Sequence, residues 1–138
     1  MRHFLAPTLT ALLALAALPG CSAFGPNVAS VLFETTAAEY TPGDVITARL
    51  ENKSDISVGY NLCFTAVEAK ADAWVPVVRP DIETGGCNDI LRILEPDGVA
   101  ETTVALAAGL PAGEYRLVTG IEAENNRRVV VVAPFEVR

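Results

Sequence analysis

Three pairs of closely spaced carboxylates, Asp81 with Glu83, Glu95 with Asp97 and Glu122 with Glu124, are the residues best suited by type and spacing to do chemistry. Two acids so placed can share the general-acid and general-base roles of glycoside hydrolysis, or supply oxygen ligands to calcium. All three pairs sit in polar, turn-rich stretches, where acids are ordinarily solvated. The only histidine, His3, stands at the start of the chain before an apolar run. A His-activated serine or cysteine nucleophile and His-ligated zinc are therefore excluded from everything beyond it. The three cysteines, Cys21, Cys63 and Cys87, show no CxxC spacing. Gly85-Gly86-Cys87-Asn88 precedes no helical pattern, so it reads as a flexible stretch and not a phosphate cradle. The expectation is a protein that is not an enzyme and has no cofactor and no metal site.

Charge and length restrict the partners. The 138 residues carry 10 basic and 17 acidic side chains, a net charge of −7. Nucleic acid is an unsuitable partner, because attraction to phosphates needs a basic surface. Residues 1–20 have the layout of an export signal: Arg2-His3 at the front, an apolar stretch over residues 9–18, and small residues before Cys21. That stretch falls short of the 18 to 20 apolar residues a membrane span requires. The 118 residues that follow are enough for one domain with its own core.

Leu18-Pro19-Gly20-Cys21 resembles the lipobox of bacterial lipoproteins. The resemblance, over residues 1–21, implies that the Cys21 thiol is acylated by fatty acids such as palmitate and becomes the mature N-terminus. It implies a membrane anchor through that lipid. In a host with two membranes, Ser22 resembles the context that favours the outer one. Each buried CH₂ contributes about 0.8 kcal/mol, so two or three chains hold a small domain firmly. With Cys21 carrying lipid, Cys63 and Cys87 remain as one pair in an oxidising compartment. The expected disulfide closes a loop of about 25 residues, for roughly 3.5 kcal/mol on the chain-entropy model.

Residues 21–29 are small and polar around Gly25-Pro26 and read as a tether. Residues 30–138 are rhythmic. β-Branched and aromatic runs recur at 30–36, 45–51, 56–68, 74–78, 90–94, 100–106, 115–122 and 128–137, with Pro/Gly clusters between them. Ile46, Ala48 and Leu50 alternate with polar residues, as do Tyr60, Leu62 and Phe64, the period of a half-buried strand. No helical period is sustained after residue 21. The fold class expected is all-β: a two-sheet antiparallel sandwich of seven to eight strands. In the last hairpin, a two-residue Asn125-Asn126 turn would set Tyr115 opposite Glu136 and drop an acid into the apolar face. A three-residue loop with Asn126 left-handed instead pairs Ile121 with Val129, Thr119 with Val131, Leu117 with Ala133 and Tyr115 with Phe135. It turns Val118, Val130 and Val132 outward beside Gly120.

Several stretches together are similar to the bacterial immunoglobulin-like domains of cell-envelope lipoproteins: Tyr40-Thr41-Pro42-Gly43-Asp44, Leu50-Glu51-Asn52-Lys53-Ser54, Tyr60 to Ala66, Ala73-Trp74-Val75-Pro76, Leu94-Glu95-Pro96-Asp97-Gly98 and Pro111 to Arg116. The resemblance spans residues 30–138 and implies an immunoglobulin-like sandwich. Gly113-Glu114-Tyr115 looks like a tyrosine corner. Leu117, and Leu50 or Ala48, stand where antibody domains have their inter-sheet cysteines, and Trp74 reads as a cover over the sandwich edge. The function implied is that of a lipid-anchored envelope module with a non-catalytic binding or structural role, its partner another envelope protein. The alternative is an immunoglobulin-like proteinase inhibitor acting through end loops. The candidate partner surface is the outward patch Val118, Val130 and Val132, with Asp81 and Glu83 in the acidic loop next to Cys87.

Overall fold

The computed structural model describes residues 30–123 and 126–138. The signal segment, Cys21, the tether, Glu124 and Asn125 lie outside the described residues, and so does the side chain of Glu83. In chain order the elements are β1 (Val31–Thr35), β2 (Glu39–Tyr40), β3 (Val45–Asn52), β4 (Val58–Tyr60), a 3-10 turn (Leu62–Phe64), β5 (Ala66–Lys70) and β6 (Trp74–Val77). Then come α1 (Pro80–Gly85), β7 (Arg92–Leu94), β8 (Val99–Ala105), β9 (Gly113–Ala123) and β10 (Arg127–Val137). One sheet has the order β1-β3-β8. The other runs β2-β10-β9-β4-β7, with β5 also on β9 and β6 on β5.

The alternation in β3 becomes burial: Ile46, Ala48, Leu50 and Asn52 are all fully enclosed. Facing them across the sandwich are Leu117 and Ile121 of β9 and Ala133, Phe135 and Val137 of β10. The β9–β10 ladder aligns Ile121 with Val129, Thr119 with Val131, Leu117 with Ala133 and Tyr115 with Phe135. Asn126 turns the chain at φ 55°, the left-handed region that asparagine tolerates better than most residues. Tyr115 stacks on Phe135, and its hydroxyl donates to the Pro111 carbonyl at 2.7 Å, closing the tyrosine corner.

Two features depart from the expected strands. The run 56–68 is not continuous. The Asn61 side chain accepts from the Cys63 N–H at 3.1 Å, and Thr65 Oγ1 donates to the Leu62 carbonyl at 2.8 Å. These local bonds compete with the ladder and fold residues 62–64 into a 3-10 turn. β4 and β5 consequently pair with separate lengths of β9, and Phe64, expected to point inward, is 53% exposed. The second is β2, two residues that pair parallel to the end of β10 and set the Tyr40 ring edge-on to Phe135. The sandwich is otherwise antiparallel and nearly free of helix, as the alternation implies.

Asn52 ties one end of the sandwich together. Its Nδ2 donates to the Ile56 carbonyl at 2.8 Å and the Leu94 carbonyl at 3.0 Å, and its Oδ1 accepts from the Ser54 N–H at 3.0 Å. Its backbone bonds Gly98 and Asp97 in the turn before β8. Thr119 is its opposite, an enclosed hydroxyl with no partner among the described residues. Removing a satisfied buried group orphans its partners, whereas removing an orphan does not. Asn52→Leu is therefore expected to destabilise by about 3 kcal/mol, and Thr119→Val to stabilise by about 1 kcal/mol, in denaturant unfolding. The same sign for both would contradict this bonding.

Candidate partner-binding surfaces

The carboxylate pairs do not converge. Glu95 accepts from Ser57 Oγ, Asp97 occupies a turn at φ 59°, and Glu122 lies on β9 with Arg128 at 3.5 Å. Among the described residues no three His, Cys, Asp or Glu side chains are placed to hold a metal ion. No described helix is long and apolar enough to cross a membrane.

Asp81 works structurally in a corner built around the cross-link. Cys63 in the 3-10 turn and Cys87 after α1 are joined by a disulfide, their Cα atoms 5.6 Å apart. Arg79, almost enclosed, donates through Nη1 to the Thr65 carbonyl and, at 3.4 Å, to the Cys63 carbonyl. Its Nε meets Asp81 Oδ1 at 3.0 Å, and Nη2 meets Oδ2. Pro80 begins α1, where its missing N–H costs nothing. The Arg79 guanidinium holds the Asp81 carboxyl below the usual carboxylate range. Burial opposes this, and backbone N–H groups of Asp81 and Ala105 assist it. α1 also contacts β8. Residues 79–89 are thus partly helical and fastened to the sandwich side, not held out as an extended loop.

The valines lie elsewhere, on the outward face of β9 and β10. Val130 is 62% and Val132 42% exposed, and Val118, directly opposite Val132, is half-buried. Phe64 and Leu91 line a shallow groove with Val118 and Val130, which also takes in Glu122 and Arg128. Leu91 lies against Gly59, where an added Cβ would stand 2.8 Å from its side chain, so the glycine admits the leucine onto the sheet. Sequence reasoning missed both residues. Alternation puts Phe64 inside, and Asn61, which can cap a turn, is the signal that the strand breaks there. The structure does not join Asp81 to the valines: α1 contacts β8 of the smaller sheet. Trp74 is half-buried on β6, with Lys70 Nζ 4.9 Å and the Arg116 guanidinium 4.3 Å from its ring, and Arg116 pairs with Glu68 at 2.6 Å. Two cations of the same chain thus lie over the ring, which also lines a pocket with Tyr115 and Phe135.

Residues 27–136 match the family described as bacterial Ig-like domain. The chain belongs to that family. No curated protein matches the sequence of this Ig-like domain. Solved structures resemble it at low identity. The PmoD soluble domain from a Methylocystis species is 11% identical (TM-score 0.40, 74% of this chain and 79% of that one). The self-complemented major fimbrial subunit MyfA from Yersinia enterocolitica, in complex with galactose, is 19% identical (TM-score 0.41, 79% and 98%). A conjugative transposon lipoprotein from Bacteroides eggerthii is 13% identical (TM-score 0.35, 77% and 96%). These values are too low to bear on what this Ig-like domain does.

Two outcomes follow for its cross-linked corner. Cys63→Ala with Cys87→Ala is expected to lower Tm by about 10 °C through the lost loop constraint, and an unchanged Tm would contradict the bridge. Because the folded carboxyl of Asp81 titrates below its unfolded value, its contribution is complete above the unfolded value near 4 and is lost as pH falls further. Asp81→Asn should therefore be less stable than the parent at pH 7, with the difference closing in acid. A gap that widens on acidification would reverse the assignment.

Proposed function

We propose that this bacterial Ig-like domain is a lipid-anchored module of the cell envelope whose role is binding or structural and not catalytic. The observation that carries the reading is the outward face of β9 and β10, where Val130, Val132, Phe64 and Leu91 leave apolar area open to solvent. A small monomer seldom keeps such a patch without a partner. Apart from the Glu122–Arg128 pair, the groove is lined by apolar, small and neutral polar residues, which suits a protein surface better than a small substrate. The lipobox-like sequence ending at Cys21 and the Cys63–Cys87 bridge both support an exported protein, since disulfides persist in oxidising compartments. The partner in this reading is another envelope protein.

Mass spectrometry of the protein from membranes should find an N-terminus at Cys21 bearing acyl chains, and Cys21→Ser should move it to the soluble fraction. An unmodified, soluble chain would contradict the anchor. A photocrosslinker at Val132 should capture an envelope protein in cells, and Val130→Asp should abolish the capture. Capture unaffected by that charge would move the binding surface elsewhere.

A further inference from the structure

Strand β8 is one edge of the smaller sheet, and β1 is the other. The hydrogen bonds of β8 show which groups are spent. Leu106 N–H donates to the Asp44 carbonyl, and Gly98 accepts from the Asn52 N–H. In the antiparallel register that aligns Ala100 with Leu50 and Thr102 with Ala48, residues 98, 100, 102, 104 and 106 therefore bond to β3. Val99, Glu101, Thr103 and Ala105 direct their N–H and C=O groups the other way. The Ala105 backbone acts on the Asp81 carboxyl at the end of the strand. The backbone groups of Val99, Glu101 and Thr103 have no partner among the described residues, and all three residues are exposed.

Sandwiches blunt such an edge with proline, a bulge, inward charges or a covering element. Here α1 contacts β8 but supplies no backbone partner to Val99, Glu101 or Thr103. Along this edge runs a groove of about 480 Å³ between β8 and the disulfide corner, lined by Ala100, Glu101 and Thr102 of β8 and by Tyr60, Cys63 and Arg92. That space leaves room for a strand's inward side chains. Glu101 is the charge at the middle of the edge. Arg49, opposite it on β3, lies 3.6 Å from Glu51, and no described cation pairs with Glu101. Self-pairing of two copies through all three free residues would set Glu101 against Glu101 across the two-fold, which like charges oppose.

We propose that β8 takes up an extended peptide segment of a partner protein by strand addition. The segment's backbone pairs with Val99, Glu101 and Thr103, its small or apolar side chains enter the groove, and a basic side chain faces Glu101. This deepens the binding-module reading by naming the ligand class. It uses neither the valine face nor the lipid, so the loss of crosslinks from Val132 would leave it standing.

The test is a titration of the ¹⁵N-labelled full-length protein with the peptide acetyl-Thr-Val-Lys-Val-Thr-amide up to about 2 mM, a range suited to so short a strand. The expected result is amide shifts and slowed hydrogen exchange at Val99, Glu101 and Thr103. The same peptide N-methylated at its lysine should bind at least about fivefold more weakly, and Glu101→Lys should reverse the preference between lysine- and glutamate-bearing peptides. No shift at these three amides at the highest concentration would overturn the proposal. So would shifts confined to the valine face, or slow exchange in the free protein that depends on its concentration, which would assign the edge to a second copy.

Discussion

The register of β9 against β10 is the constraint on which the rest of the molecule depends. Eleven residues on each strand are aligned without a break. Because side chains alternate sides, that alignment decides in one step what is enclosed and what is displayed. Leu117, Ile121, Ala133 and Phe135 go inward to meet Ile46, Ala48 and Leu50 of the other sheet. Val118, Val130 and Val132 go outward. A slip of one residue on either strand would put that strand's display face into the core. The turn that prevents it rests on Asn126 accepting a left-handed backbone.

The hairpin was legible because its sequence is redundant. Each inward position from Tyr115 to Ile121 finds an apolar or small residue opposite in one register only, and the competing turn places Glu136 inside. The disulfide was legible for a similar reason, there being one pairing left once Cys21 is assigned to lipid. The middle of the chain was harder. Residues 56–68 keep a strand-like alternation, yet Asn61 and Thr65 bond locally and break it, and periodicity does not weigh a side-chain cap against a ladder. The role of Arg79 was invisible for another reason. Asp81 is two residues away, but the carbonyls of Thr65 and Cys63 lie 14 and 16 residues back in the chain and come to it only in the fold.

The two surfaces follow from two different incomplete closures. On the larger sheet, the break between β4 and β5 releases Phe64 from the interior, and Gly59 lets Leu91 lie over the strand, so an apolar face grows around the valines. On the smaller sheet, α1 contacts β8, while the outward backbone groups of Val99, Glu101 and Thr103 have no partner among the described residues. Both arise from the segment between β4 and β8, where the cross-link and the Arg79–Asp81 pair replace regular ladder bonds. That segment departs furthest from a repeating sandwich, and it shapes what the domain presents to a partner.

The hairpin register can be measured directly from interstrand backbone proton contacts by nuclear Overhauser spectroscopy. The account predicts cross-strand contacts that join Leu117 to Ala133, Val118 to Val132 and Thr119 to Val131. Contacts joining Tyr115 to Glu136 and Leu117 to Pro134, the pattern of a two-residue turn, would bury the valine face and contradict it.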